Sequence, residues 1–375
     1  MNGEKSKKNR DESNNSLSAQ LFRLFWLLLI PLGFILPSIS LSYPELTEKL
    51  YSKVLYPFFS RPLGAVFSLL PFSAAEMILY MLLLSLPIFI IIGAVRFIRR
   101  RISGKRVLST LITLFIASGI LLNAFYFLWG FNYYRPELAS LLNLNTRPRP
   151  PEQLESLCYM LADEAILLRE QVAEDENGVF CLPEGYRAYF DRIPAAYENL
   201  GKNIRFFSRK VYPAKSIYLS KGLSYSGISG IFIPFTAEPN VNTDQPPLIL
   251  LSSAAHESAH YLGVAREDEA NFVAYLACIH SDDPSVKYSG VMLALIHAGN
   301  KLNSIDNEAY TKLREYYSDG MDRDLIDYNT YWKEFEGPVE EAATNINDHY
   351  LKFNGQAEGV KSYGAMVDLL LAYYY

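Results

Sequence analysis

The sequence predicts a mostly helical α+β protein in which three membrane-spanning helices precede a domain with one small sheet. Three observations lead there. The first third of the 375 residues holds three long apolar runs, most of the remainder has helical periodicity, and one short stretch rich in Ile, Phe and Tyr is bounded by Gly and Pro. Hydrophobic residues make up 50% of the chain and aromatics 14%, high values for a purely soluble protein. The formal net charge of -5 leaves no basic footprint for nucleic acid. Three cysteines without a CxxC spacing argue against a disulfide framework and against a cysteine-rich zinc site. Cys158 with Cys181 is the one bridge an oxidising face would allow, and it is not expected.

The membrane region is expected over residues 21–134, behind a cytoplasmic tail of residues 1–20. Its spans are residues 24–41, 77–95 and 107–128, each close to the ~20 residues that cross a bilayer. The first run lacks a small-residue cleavage site and two more spans follow, so it is an anchor and not a removable signal. Charge sets the direction. Arg96, Arg99, Arg100, Arg101, Lys105 and Arg106 follow the second span, and Lys5, Lys7, Lys8 and Arg10 precede the first. Both groups belong on the cytoplasmic side of a cell membrane, which makes everything after Trp129 extracytoplasmic. The loop from Tyr43 to Pro62 shares that outer face, and residues 62–72 are expected in the interface. Phe125, Tyr126, Phe127, Trp129, Tyr133 and Tyr134 mark the outer boundary of the third span, where amphipathic rings prefer to lie.

A domain is expected over residues 135–375. A proline-rich joint, RPRPPEQ, leads into apolar positions Leu154, Leu157, Leu161 and Ala165, which have helical spacing. A second helix is expected over Tyr186 to Leu200, and strands over Ile217 to Leu219 and Ile228 to Phe235. After Pro247 the pattern is helical nearly to the end, broken at Gly263, at 282–284, at Gly320 and at Gly355.

The central helix carries His256-Glu257-Ser258-Ala259-His260. Residues four apart share a helix face, so His256 and His260 can aim two imidazoles at one ion. Glu257 lies about 100° round, within reach of a water on that ion without ligating it. Zinc bound this way is a Lewis acid that brings its water to a pKa of roughly 7. The apolar run Leu248 to Ala255 places the motif on a buried helix, where such polar groups need partners. Gly263 can end that helix, and a new one opens with Glu267-Asp268-Glu269-Ala270-Asn271. In zinc peptidases with a glutamate ligand, the glutamate comes from a following helix, and the residue four positions later orients a histidine. That pattern puts Glu267 on zinc and Asn271 in the orienting role, with Glu269 as the alternative ligand. The acidic residues also suit a helix N-terminus electrostatically. The gap from His260 to Glu267 is shorter than in thermolysin-like enzymes. It approaches that of the metzincins, whose third histidine is replaced here by Arg266.

The segments WGFNYYRP, LSYSGISGIFIPFTAEPNVN, HESAHYLGVAREDEANFVAYLA and YLKFNGQAEGVKSYGAMVDLLL carry a resemblance. Together with the three-span front, they make the chain resemble a bacterial membrane family catalogued as domain of unknown function 3810. That family's peptidase assignment rests on the same motif, so the resemblance implies a zincin-like domain and no substrate. It also gives ISGIFIPF a second meaning beside that of a core strand, as the edge along which an extended peptide pairs its backbone.

The expected function is therefore a membrane-anchored zinc-dependent metallopeptidase. Zn2+ is its cofactor, Glu257 its general base, the bilayer its support and a peptide or protein on the outer face its substrate. One alternative is a non-catalytic sensor or binding module retaining the fold, although a retained Glu257 has no purpose there. A transporter is a poorer fit, because only Glu76 approaches a buried ionisable residue in a span. His349, Tyr350 and Tyr363 are candidates for stabilising an oxyanion, while His280 and His297 read as packed or surface residues.

Overall fold

A computed structural model describes residues 23, 25–99, 104–356, 359 and 365–375. The predicted tail over residues 1–20, the basic positions Arg100 and Arg101, and Tyr363 lie outside them.

Among the described residues, two helices are long and apolar enough to cross a membrane, over Ala74–Val95 and Arg106–Leu128. A third crossing exists only if a bent pair, Trp26–Ser42 with Pro44–Phe67, is counted as one span. The first apolar run thus forms helix α1 (Leu29–Ser42) behind one 3-10 turn, and the chain then bends by 102° at Tyr43 into α2 (Pro44–Phe67). The expected outer loop is helical, with a π-helical stretch at Thr47–Leu55. Helix α2 exposes Leu46, Leu50, Val54 and Phe58 on one side and buries Glu48, Tyr51, Ser52 and Tyr56 on the other. Its i, i+4 apolar stripe is interrupted by Glu48, Lys49 and Lys53, which hid it from a search for apolar runs.

The apolar helices α3 (Ala74–Arg99) and α4 (Gly104–Leu128) follow. Helix α4 packs closely along α1 through small residues. A Cβ on Gly33 would meet Leu122 at 2.6 Å, and one on Gly119 would meet Leu29 at 3.1 Å. Asn123 donates to the Leu29 carbonyl (2.6 Å), while Arg23 reaches Ser109 and Thr113. Small residues and one side-chain amide are how apolar helices associate in lipid. These contacts advance together along both helices, so α1 and α4 run parallel, as a first and a third span would.

The rest is an array of helices around a small sheet. Short α5 (Leu138–Leu142) precedes α6 (Pro151–Arg169), whose Leu157, Leu161 and Ala165 are fully buried. The single helix expected over 186–200 is two, α7 (Tyr186–Phe190) and α8 (Ile193–Asn203), with Pro194 in the first turn of the second. Strand β1 is Lys215–Ser216, two residues before the predicted position. After α9 (Ser220–Ser224) come β2 (Gly230–Ile233) and β3 (Glu238–Val241). The order is β1-β3-β2, with β3 parallel to β1 and antiparallel to β2.

Sequence reasoning missed β3. Its residues, EPNV, are poor strand formers apart from Val241. Burial and charge hold it instead. The Glu238 carboxylate pairs with Lys215 and accepts from the Ala74 and Ala75 amides (3.1 and 2.9 Å), capping the first turn of α3. Lys215 also donates to the Phe67 and Phe72 carbonyls. The central strand is therefore fastened to the start of an apolar helix.

Helices α10 (Pro247–Tyr261), α11 (Glu267–Ile279) and α12 (Pro284–Ile305) pack on one another and, through α12, on α6. They are followed by α13 (Asn307–Tyr316), α14 (Asp319–Lys333), α15 (Pro338–Phe353) and α16 (Met366–Tyr374). The predicted break at Gly320 falls inside α14. The chain turns at Tyr317 instead, where Ser318 caps α14 by accepting from Met321. A further break at Asp306 is likewise an N-cap, accepting from Ala309 (2.9 Å). All three cysteines are free thiols.

Candidate metal centre

Helix α10 opens with proline in its first turn, and every residue from Leu248 to Tyr261 is buried except His256, which is half-buried. It ends in a Schellman turn. Gly263, at φ 87°, donates to the His260 carbonyl (2.9 Å), and Val264 donates to the Ala259 carbonyl (3.1 Å). A left-handed residue is required there, and glycine adopts it without strain. The turn brings the Val264 carbonyl against His260 and starts α11 at Glu267, facing the end of α10.

The two helices bring His256, His260 and Glu267 together, with one ligand atom from each lying within 4.8 Å of the others. Glu267 Oε2 is 3.1 Å from His256 Nε2 and 3.6 Å from His260 Nε2. Each imidazole is held by its other nitrogen. His256 Nδ1 pairs with Asn271 Oδ1 (2.8 Å), and His260 Nδ1 with the Val264 carbonyl (2.7 Å). Both acceptors require a proton on Nδ1, which turns both Nε2 atoms toward Glu267. Ligand atoms ~2.0–2.1 Å from one tetrahedral ion stand about 3.3–3.4 Å apart, so the observed separations suit a small cation.

Glu269, the alternative ligand, is not in this group. Its carboxylate accepts from the Leu138 amide (2.6 Å) and lies 4.0 Å from Arg266. Two residues along a helix are about 200° apart, so Glu267 and Glu269 face different surroundings.

Glu257 is 3% exposed and turned toward β2, where the nearby Phe232 amide favours its charged form. A Cβ on Gly230 would lie 2.6 Å from Glu257 Oε1, so the strand passes directly over the carboxylate. Oε2 is buried without a hydrogen-bond partner. Burial pushes the Glu257 carboxyl up to about 7, against the pull of the two nearby imidazoles. For Glu267 burial acts in the same sense, yet both histidines outweigh it and hold the group below the usual carboxylate range. Burial alone would depress His260, but Glu267, Glu257 and the Val264 carbonyl together raise it to about 9.

The model of the family described as Protein of unknown function (DUF3810) matches residues 51–371. The chain belongs to this family. No curated protein and no solved structure matches it. The DUF3810 match begins at Tyr51, inside α2, and therefore includes membrane-proximal residues that support the site.

Three of those supports were not recognisable as such in the sequence. Trp129 Nε1 donates to the His260 carbonyl (3.1 Å), Tyr56 to the Tyr261 carbonyl (2.7 Å), and Arg135 to the Gly263 carbonyl (2.9 Å). Trp129 was visible only as a boundary aromatic, and Tyr56 acts across 205 residues, with no local signal. Among the oxyanion candidates, His349 is exposed and bonded to the Asn345 carbonyl, whereas the Tyr350 hydroxyl reaches that of Tyr133 (3.3 Å). His280 bonds the Leu276 carbonyl within its own helix. His297 is half-buried near His256, and burial, reinforced by that imidazole, lowers it to about 4.

The close approach of β2 to Glu257 has a measurable cost. Gly230→Ala is expected to destabilise the protein by about 1–3 kcal/mol, the range for overpacking. In a Glu257→Ala background the same change should cost almost nothing, because the clashing atoms are gone. Equal costs in chemical denaturation of the two backgrounds would disprove the contact.

Proposed function

We propose that this protein is a membrane-anchored, zinc-dependent metallopeptidase with a zincin-like domain. The observation that carries the proposal is the convergence of His256, His260 and Glu267 beside a buried carboxylate, Glu257, that is not part of their group. Nε2 of each histidine and the Glu267 carboxylate would hold the ion. Zn2+ held there supplies Lewis acidity to a carbonyl and makes a neighbouring water more acidic.

The chain's own residues do the rest. Glu257, poised near neutrality by burial, accepts the water's proton and can return it to the departing amine. A carboxylate with a far lower pKa would take the proton reluctantly, and one with a far higher pKa would already hold it. Asn271 and the Val264 carbonyl fix the two imidazoles, as groups behind metal ligands generally do. Strand β2 lies at the end of the sheet order, so its outer edge can pair with an extended peptide backbone, and Gly230 keeps that edge close to Glu257. The absence of a Cβ at Gly230 leaves room for the carboxylate and the peptide together.

The domain is proposed to lie on the extracytoplasmic face of the cell membrane. Support comes from the basic residues between the second and third apolar runs and from the parallel packing of α1 and α4. Alkaline phosphatase fused after Arg135 should be active, and fused after Arg101 inactive. The opposite pattern would reverse the orientation.

The catalytic reading is tested on the purified full chain with an unstructured peptide library as substrate. Glu257→Gln should keep its zinc and lose roughly 10²–10⁴-fold in cleavage rate. Glu267→Ala should lose zinc, while Asn271→Ala should bind it about 10–100-fold more weakly. If Glu257→Gln cleaves as fast as the wild type, or Glu267→Ala keeps its zinc, the assigned roles are wrong.

A further inference from the structure

Helix α15 (Pro338–Phe353) is built differently from the other long helices of the domain. Only Leu351 on it is buried. Val339, Ile346, Tyr350 and Phe353 are 58%, 71%, 38% and 56% exposed. At 3.6 residues per turn, these four side chains fall within about 60° of one another. Glu341, Asn345, Asp348 and Lys352 occupy the opposite side, with Lys352 paired to Asp348 (2.6 Å). The helix is thus amphipathic, and its apolar stripe, about 21 Å long from Val339 to Phe353, is turned away from the domain core.

The C-terminal end of the stripe shows where it leads. Phe353 packs edge-on against Phe34 of α1, with ring centroids 6.2 Å apart. Tyr350 packs against Phe125 in the last turns of α4 (6.3 Å) and against Tyr133 just beyond it (6.1 Å). Phe34 is itself exposed, and so are Ile35 and Ile39 beyond it on α1. The apolar stripe of α15 therefore meets the exposed apolar side of α1 at its C-terminal end. Isolated apolar residues on a surface need no explanation, but a continuous stripe joined to a lipid-facing one does.

We propose that α15 lies in the plane of the membrane interface, with Val339, Ile346 and Phe353 inserted among the acyl chains of the leaflet that meets the C-terminal ends of α1 and α4. Its polar side then faces water. The stripe carries no cation, and acidic Glu340 lies between it and the polar side. Burial of apolar area drives the docking, and attraction to anionic headgroups does not. This docking does not depend on what the metal centre does. It does place that centre at the bilayer surface, because Tyr133 packs on Trp129 (5.1 Å) and Trp129 packs on His260 (5.7 Å).

The test uses the full chain reconstituted into phosphatidylcholine–phosphatidylethanolamine vesicles. An environment-sensitive NBD fluorophore is attached at Ile346→Cys or, as control, at Asn345→Cys. Cys181→Ser forms the background, since Cys158 and Cys278 are buried. At position 346 the emission should be blue-shifted, and quenching by nitroxide-labelled lipid should exceed that at position 345 several-fold. Aqueous iodide should quench the two positions in the reverse order, and high salt or added phosphatidylglycerol should leave the difference unchanged. Equal iodide quenching at both positions would mean that the stripe faces water. Protection of position 346 from both quenchers would mean that polypeptide covers it, from a second copy or from elsewhere in the chain. Either outcome overturns the proposal.

Discussion

The C-terminal turn of α10 is the point on which the molecule depends. Its last carbonyls have no partners within the helix, and they lie where water does not reach. Three side chains donate there, Trp129 to His260, whose carbonyl also accepts from Gly263, Tyr56 to Tyr261 and Arg135 to Gly263. The Tyr261 and Gly263 carbonyls would each cost about 1–3 kcal/mol if left unpaired in the interior. All three donors come from the membrane-proximal part of the chain, from α2 to the segment after α4. Arg135 is itself held by Glu48 of α2 (2.7 Å), so the bent helix, the end of α4 and the histidine-bearing helix form one buried polar junction. Packing is continuous across residue 134 at this junction. A fragment beginning at Arg135 would lack two of the three donors.

Within that frame the four ionisable groups of the centre are set apart by position. Glu267 faces two imidazoles and is held as a carboxylate. Glu257, one residue from His256 in sequence, points to the opposite side of the cluster toward β2 and is pushed upward by burial. In the proposed function the two carboxyl groups divide the work, Glu267 staying charged and Glu257 exchanging a proton. The Schellman turn makes this possible. It supplies the Val264 carbonyl to one histidine and delivers α11 at the angle from which Glu267 and Asn271, one turn apart, reach the other.

Much of this was legible in the sequence because it is local. The spacing of His256 and His260, the position of Glu257 between them, and Glu267 four residues before Asn271 all follow from helical geometry alone. The helix-ending role of Gly263 was equally plain. The choice between Glu267 and Glu269 was not legible, since it depends on where α11 meets α10 and on the Leu138 amide taking up Glu269. Strand β3 was hidden because a buried ion pair and a helix cap hold it, not strand propensity. The helical form of residues 44–67 was hidden because its apolar stripe is interleaved with charge, as is that of α15. Tyr56 had no local signal of any kind.

His256, His260 and Glu267 are proposed to share one zinc ion. X-ray absorption at the zinc edge, on the full chain purified with its native metal, tests this most directly. The expected result is one zinc per chain, a first shell of nitrogen and oxygen at ~2.0–2.1 Å, outer-shell scattering from two imidazoles, and no sulfur. His256→Ala should remove the signal. A folded wild-type chain that takes up no zinc, or zinc bound through cysteine sulfur, would contradict the claim.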